Sequence, residues 1–297
     1  MCRMLGMVSN IETYLNFSCG ILAAILKKLC EEKGECHENG CGFAWYQRGW
    51  NVKKDDKPLW ESETLKPYLT YTRSIAMIIH ARKATYPPYS LQGPKIDNSH
   101  PFMAELHGAK WVFAHNGRIV FNRSFVNVRH SDKILEYEGK TYRLTSYGVD
   151  SEVFFQILLH TIDEIGGEEP RSVIDSVRKV VNASIIEKFY SLNFIMGSHK
   201  YLYAFRFYNE SEIKDPERFA LYYMTRLGSS EAGKILHKKP NEVALYVSSE
   251  PLTAEKWIEE VKRFREGFPV ENWTPLKNGE ILVVPIGKPT EKIIEKI

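Results

Sequence analysis

The sequence has no long block of like charge, and its 297 residues carry 40 basic and 37 acidic side chains for a net charge of +3. Proteins that bind nucleic acid or anionic membranes usually concentrate positive charge on one segment or face, so neither partner is expected here. The apolar run from residue 19 to residue 29 is too short to span a membrane and contains two lysines. There is also no internal repeat or linker, and we therefore expect a single folded domain over residues 1–297.

Cysteine is absent beyond residue 41, and the chain has an odd number of cysteines without a secretory signal before them. This usage favours reduced thiols and a cytoplasmic protein. A zinc site built from Cys30, Cys36, His37 and Cys41 is an alternative, but the spacing matches no standard zinc knuckle and no second ligand pair follows. We expect no metal and no organic cofactor.

The apolar patterns predict a mixture of strands and helices. Helices are expected over residues 18–33, with Ser18 as cap and Gly34 as stop, over 150–165, capped by Asp150 or Ser151, over 170–189 and near 254–264. Short apolar runs predict strands at residues 4–8, 40–46, 75–80, 110–114, 192–196, 201–207, 220–224, 243–248 and 281–285. Strands, two central helices and then strands again indicate an α+β fold.

The segment between residues 110 and 147 is harder to interpret. The strand at 110–114 is expected to end at His115, because Asn116-Gly117 is a dipeptide that suits a tight turn. Residues 118–147 are polar and are expected to be irregular, with an uncertain hairpin in the middle. The proline-rich segment 86–103 is expected to be a long loop, and loops of that length are often functional.

Cys2 is the first candidate for chemistry. Removal of Met1 would make it the N-terminal residue, so its thiol would lie beside a free α-amine with a pKa of roughly 7.7–8.0. Such an amine can accept a proton near neutrality, and one residue would then supply both a nucleophile and its base. If Met1 is retained, that amine does not exist.

Four further motifs accompany Cys2: His80-Ala-Arg82-Lys-Ala-Thr85, Asn98-Ser-His100-Pro-Phe102, His115-Asn116-Gly117 and Val149-Asp150-Ser-Glu152. Their order and spacing resemble those of the class II glutamine amidotransferases, the N-terminal nucleophile family whose mature chains begin with cysteine. Residues 37–46 and 248–252 extend the resemblance to the compact, stand-alone branch of that family. The resemblance implies a four-layer αββα sandwich with two antiparallel sheets between helical layers.

The resemblance also implies a role for each residue. Cys2 is the nucleophile, Asn116 and the backbone N–H of Gly117 form the oxyanion hole, and Arg82 binds the substrate carboxylate. Asp150 at a helix start is expected to bind the substrate ammonium group, and Thr85 to line the pocket. These residue types suit a γ-glutamyl substrate, which presents an anion, a cation and a carboxamide. The three histidines of the motifs are expected to pack or position neighbours, because the α-amine already serves as base.

Three interpretations of the function remain open. The first is a glutaminase that releases ammonia from L-glutamine, with a separate protein as ammonia acceptor. The second is a hydrolase of γ-glutamyl peptides or amides, because Thr85 is followed by the bulky segment Tyr86-Pro87-Pro88-Tyr89 where the family often has a polar residue and glycine. The third is a catalytically silent scaffold. A homo-oligomer is compatible with each.

Overall fold

The computed structural model describes residues 2–84, 96–227, 241–252 and 273–297. The first sheet contains β1 (Arg3–Tyr14), β2 (Cys41–Tyr46), β3 (Trp50–Asp55), β4 (Arg73–Ala81), β12 (Tyr222–Leu227), β13 (Val243–Ser248) and β14 (Thr274–Pro275). Its spatial order is β14-β12-β13-β1-β4-β2-β3. β1 is therefore a central strand, flanked by β13 and β4.

The second sheet contains β5 (Phe102–Leu106), β6 (Ala109–Phe121), β10 (Ile186–Gly197), β11 (Tyr201–Arg206), β15 (Glu280–Pro285) and β16 (Ile293–Lys296), in the order β16-β15-β11-β10-β6-β5. A small third sheet is formed by β7 (Val126–Arg129), β8 (Ile134–Tyr137) and β9 (Lys140–Arg143). The helices are α1 (Asn16–Lys33), α2 (Lys66–Tyr71), α3 (Asp150–Ile165) and α4 (Pro170–Val181), with short 3-10 turns at Leu59–Glu61 and Pro216–Phe219. All pairings between the described strands are antiparallel.

Three apolar cores separate four layers. One core packs α1 against the first sheet, a second packs α3 and α4 against the second sheet, and the third lies between the sheets. β1 illustrates the alternation of side chains along a strand: Leu5 and Met7 belong to the α1 core, whereas Met4 and Val8 belong to the core between the sheets. The α+β class and the αββα sandwich are confirmed.

The prediction of a turn at Asn116-Gly117 is wrong, because β6 continues without interruption to Phe121. Its neighbour β10 pairs with both residues, Asn193 opposite Asn116 and Leu192 opposite Gly117, and a paired strand outweighs the local turn preference of the dipeptide. The prediction that residues 118–147 are irregular is wrong as well, since they contain the end of β6 and the whole three-stranded sheet. The hairpin expected in the middle of this segment is confirmed, because β7, β8 and β9 pair in sequence order.

The helix predictions differ from the structure mainly at their ends. Gly34 and Gly166 terminate α1 and α3 in the left-handed conformation, as expected. The predicted caps are wrong: α1 begins two residues before Ser18, and Val149 is the cap position of α3, so Asp150 is its first residue. α4 ends at Val181 rather than near 189, because β10 begins at Ile186. The helix predicted near 254–264 lies outside the described residues.

The cysteines are not all reduced in this structure. Cys30 and Cys36 form a disulfide, and Cys2, Cys19 and Cys41 are free thiols. The bond contradicts the expectation of five thiols, and it removes two of the sulfur atoms that the alternative zinc site required. Among the described residues, no helix has both the length and the apolar character needed to cross a membrane.

Candidate active site

Cys2 directly precedes β1 at one end of the first sheet. β1 pairs with β4 so that Arg3 lies opposite Ala81, and the next residues of each chain, Cys2 and Arg82, therefore come together beyond the paired ends. The backbone N–H of Lys83 donates to Cys2 Sγ over 3.4 Å, and Sγ lies 3.5 Å from the Lys83 carbonyl oxygen. A free thiol is thus held against the segment that follows β4.

The environment of the Cys2 thiol acts on its pKa in two directions. Burial raises the pKa, because the negative thiolate is poorly solvated there. The hydrogen bond from the Lys83 backbone and the positive charges of Arg82 and Arg3 oppose that rise. Those contacts favour the thiolate form that a nucleophile requires.

Asn116 connects the second sheet to this thiol. Along β6, Val112 and Ala114 face the core between the sheets, and the two-residue period of a strand places Asn116 on the same face. Its side-chain Nδ2 donates to the backbone carbonyl of Cys2 over 2.8 Å. An amide nitrogen carries two hydrogens, so this bond fixes the orientation of the group and uses one of them.

Gly117 occupies a position where no side chain fits. A Cβ atom there would lie 1.8 Å from the carbonyl oxygen of Ser191 and 2.8 Å from His115 Nε2. β10 changes register at this point, between Phe189 and Ser191, and brings its backbone close to β6. Glycine is therefore required by the close approach of two strands rather than by a turn.

Arg82 is half-buried, and the residue that holds it, Asn39, lies outside the four predicted motifs. Its Nη1 donates to the backbone carbonyl of Asn39 over 3.2 Å, and the Asn39 side chain accepts a hydrogen bond from the Ala84 N–H over 2.8 Å. Burial lowers the pKa of Arg82, and the negative charges of a Cys2 thiolate and of Asp150 raise it. The guanidinium group is thus close enough to Cys2 and Asp150 to interact with their charges.

Asp150 is fixed at the first turn of α3. Its Oδ2 accepts a hydrogen bond from the Ile119 backbone N–H, just beyond Gly117 on β6, and its Oδ1 accepts one from the Ser151 N–H, at 2.8 Å and 2.9 Å respectively. These bonds leave further lone pairs on the carboxylate. The group is half-buried and remains able to accept from a bound cation.

The three histidines of the motifs are buried within the fold. Burial lowers the pKa of His80 to about 3, and burial also lowers the pKa of His100 and of His115. His115 Nε2 donates to the Ser191 carbonyl at 3.1 Å, so its Nδ1 accepts from the Ser151 hydroxyl at 2.8 Å. A hydrogen-bonded imidazole such as that of His115 suits positioning, whereas the rings of His80 and His100, whose centroids lie 4.2 Å apart, pack against each other.

Two contacts that sequence reasoning missed hold the start of β1. Arg3 Nε donates to Glu250 Oε2 over 2.8 Å, and the Ser249 hydroxyl accepts from the Met4 N–H over 2.9 Å. In the sequence, the only signal of these contacts is the resemblance of residues 248–252 to the family. Asn39 lies in the segment 37–46, which also carries the resemblance, whereas the contact from Lys83 involves backbone atoms and leaves no signature in the sequence.

The structure therefore brings together five predicted residues. Cys2 precedes β1, Arg82 follows β4, Asn116 and Gly117 lie in β6, and Asp150 begins α3. Thr85, the remaining predicted site residue, lies outside the described residues, as does the segment 86–89. Cysteine thiol, guanidinium, carboxylate and amide groups at one end of two packed sheets can bind an amino acid through both charged groups and attack its side chain.

Comparison with known proteins places the whole chain in one family of proteins. The sequence profile described as glutamine amidotransferases class-II matches residues 1–296. A Haemophilus influenzae protein named "Putative glutamine amidotransferase" is 26% identical over 304 residues, covering 99% of this chain and 90% of that protein. A crystal structure titled as a "predicted glutamine amidotransferase" from Pseudomonas aeruginosa aligns with a TM-score of 0.58 at 21% identity, over 97% of this chain and 99% of that chain.

A larger enzyme shares the same fold over part of its length. The glutamine phosphoribosylpyrophosphate amidotransferase of B. subtilis aligns with a TM-score of 0.55 at 17% identity, over 99% of this chain and 49% of that chain. At such identities the two structures establish the fold alone, whereas the profile spans nearly every residue of the sequence. On that match, the chain belongs to the class II glutamine amidotransferase family.

Proposed function

We propose that this protein hydrolyses the γ-carboxamide of L-glutamine through a thioester on Cys2, releasing glutamate and ammonia. The observation that carries the proposal is the 2.8 Å hydrogen bond from the Asn116 amide to the Cys2 carbonyl. It joins the predicted oxyanion donor to the predicted nucleophile across the two sheets. Membership of the family supports the same reaction class.

The reaction begins when the Cys2 α-amine accepts the thiol proton and the resulting thiolate attacks the γ-carbonyl carbon. The carbon–nitrogen bond then breaks, the Cys2 α-amine passes a proton to the leaving nitrogen, and ammonia departs from a γ-glutamyl thioester. Water that loses a proton to the same amine attacks the thioester, the carbon–sulfur bond breaks, and glutamate leaves. This route requires removal of Met1 and no metal or cofactor.

The remaining residues bind the substrate and its developing charge. Arg82 binds the α-carboxylate through its planar fork, and Asp150 binds the α-ammonium group. Asn116 uses its second amide hydrogen, together with the Gly117 N–H, to stabilise the oxyanion, where loss of one donor typically costs about 3–4 kcal/mol of barrier. Thr85 is proposed to line the pocket.

The test is glutamate release from L-glutamine by protein whose intact mass shows that Met1 is absent. We expect Cys2→Ala to abolish release and Arg82→Lys, which keeps the charge but loses the fork, to raise KM at least tenfold. Cys19→Ala is the matched control, because burial raises the pKa of the Cys19 thiol to about 12 and keeps it from acting as a nucleophile. Release that survives Cys2→Ala would refute the proposal.

Two other functions are distinguishable with the same preparation. Release of glutamate from γ-glutamyl peptides but not from glutamine would assign the hydrolase alternative, with the same nucleophile. No release from either substrate by this protein, from which Met1 has been removed, would assign the silent scaffold. The proposal also includes a separate ammonia-accepting protein, a homo-oligomeric assembly and a cytoplasmic location. Stimulation of glutamate release by an added acceptor enzyme would test for the ammonia-accepting protein.

A further inference from the structure

A second cluster of titratable groups lies at the far end of α3 from Asp150. Glu138 occupies the turn between β8 and β9, and His160 and Glu164 are one helical turn apart on α3. With a rise of 1.5 Å per residue, His160 lies roughly 15 Å along the helix from Asp150. The cluster is therefore separate from the candidate active site, and nothing in the proposed reaction uses it.

The three side chains converge on one point. His160 Nε2 lies 3.0 Å from Glu138 Oε2 and 3.2 Å from Glu164 Oε1, and the three candidate ligand atoms lie within 4.8 Å of one another. The His160 side chain is only 2% exposed, whereas the two carboxylates reach solvent at its edge. A buried imidazole nitrogen thus faces two carboxylates that water can approach.

The number of protons at this point does not match the number of acceptors. Nε2 can carry a single hydrogen, and one hydrogen cannot form a good bond with both carboxylates. A cation between the three atoms would satisfy all of them. Tetrahedral zinc, with bonds of about 2.0–2.2 Å, holds its ligand atoms roughly 3.3 Å apart, close to the two observed separations.

Groups around the cluster also suit a metal site. Tyr142 Oη lies 2.6 Å from His160 Nδ1 and can accept its hydrogen, which would leave Nε2 with a free lone pair. One of the carboxylates has a further partner, since Lys179 donates to Glu164 Oε2 over 3.0 Å. In metalloproteins such outer contacts orient the ligands.

We propose that Glu138, His160 and Glu164 bind a zinc ion, with water completing the coordination. One imidazole and two carboxylates are ligands that zinc accepts, and the site joins the β8–β9 turn to α3. The ion would fasten the small three-stranded sheet to the helix whose first residue is Asp150. Its role is structural, and the proposal does not depend on the identity of the reaction.

The experiment titrates metal-free protein with Zn²⁺ alone, in competition with a chromophoric chelator. The parent for all variants is Cys2→Ala, so that the free thiol does not bind zinc. We expect one zinc per chain, a rise in melting temperature on binding, and at least tenfold weaker binding in Glu138→Gln, His160→Gln and Glu164→Gln. Tyr142→Phe is expected to weaken binding about tenfold through loss of the hydrogen-bond partner of Nδ1.

Two neighbouring residues provide matched controls. Asp163 precedes Glu164, and its carboxylate contacts the exposed imidazole of His107 at 2.8 Å. Asp163→Asn and His107→Gln make the same chemical changes as two of the test variants, and both should bind zinc like the parent. Glu138→Gln alters an exposed turn residue, so its effect is measurable even if His160→Gln fails to fold.

Two results would overturn the proposal. One is the absence of stoichiometric zinc binding, which would identify the cluster as a set of hydrogen bonds between His160 and two carboxylates without a metal. The other is binding that is lost in His107→Gln and Asp163→Asn but retained in Glu138→Gln and Glu164→Gln, which would move the site to the exposed surface of α3.

Discussion

Among the glycines that the structure describes, Gly117 has the least room for a side chain. Gly117→Ala would place a methyl group 1.8 Å from the Ser191 carbonyl oxygen, so β6 and β10 would have to separate. We expect this variant to lose at least 2 kcal/mol of stability, in the range of about 1–3 kcal/mol or more typical of overpacking, and nearly all glutamate release. Denaturant unfolding and the release assay measure the two effects.

Gly20 provides the control for this substitution. It lies in α1, is exposed, and has no atom within 4 Å of the position that a Cβ would occupy. Gly20→Ala should therefore stabilise the protein by about 0.5–1 kcal/mol, the usual difference between the two residues in a helix. Equal stability of Gly117→Ala and the parent would show that the strands are not held as close as the structure indicates.

His80 should make stability depend on pH. Its pKa is lowered to about 3 by burial in the folded protein, against about 6.5 in the unfolded chain. Between these values the unfolded chain binds a proton that the folded protein does not, so the stability present above pH 6.5 is lost as the pH falls toward 3. His80 alone should remove about 2 kcal/mol between pH 7 and pH 5.

The measurement is the free energy of unfolding at both pH values for the parent and for His80→Gln. The variant should lose less stability on acidification than the parent. His107 is the contrasting control, because its hydrogen bond to Asp163 raises its pKa in the folded protein. The stability that His107 contributes is therefore present below its pKa in the unfolded chain and is lost as the pH rises. His107→Gln should therefore lose more stability on acidification, and a His80→Gln variant with the parent's pH dependence would contradict the argument.

Among the connecting elements, the segment 34–40 joins α1 to β2 and positions Arg82, the proposed carboxylate-binding residue. The Cys30–Cys36 disulfide anchors its start, and Asn39 near its end contacts Arg82 and Ala84. Reduction of the bond, or Cys36→Ser, should raise KM for glutamine with a smaller change in kcat, because Arg82 would lose part of its support. The loss of stability should be about 2 kcal/mol, since the closed loop is short.

Alkylation of the unfolded protein, with and without reductant, tests whether the bond exists. Without reductant, no more than the three free thiols should be labelled after unfolding, and five after reduction. Reductant should raise KM in the parent and leave Cys36→Ser unchanged, which separates the bond from other effects of thiols. Five labelled thiols without reductant would restore the expectation of a fully reduced chain.

For the molecule as a whole, the core between the sheets predicts a single unfolding transition. Ile195 is fully buried there and would lie 3.1 Å from a Cβ placed at Gly6, so β10 and β1 are in direct contact. Ile195→Ala should cost about 2–5 kcal/mol and shift the tryptophan-fluorescence and far-UV circular-dichroism transitions together. Two separate transitions would show that the prediction of one domain is wrong.

Local pattern in the sequence was enough to locate most strands, the glycine stops of α1 and α3, and the α+β class. These features follow from side-chain periodicity and backbone preference, which act over a few residues. The resemblance named Cys2, Arg82, Asn116, Gly117 and Asp150 as one site. Their proximity was an expectation, because no local rule states which strands become neighbours.

The other features of the fold and the site depended on which distant segments meet in the tertiary structure. Asn116-Gly117 became part of a strand because β10 satisfies its backbone, and Asn39 entered the site because the segment 34–40 passes Arg82. The Cys30–Cys36 bond and the cluster around His160 likewise depend on how distant or oppositely directed segments meet. Long-range packing selects among local conformations that differ by about 1 kcal/mol, which is why these features could not be obtained from local pattern.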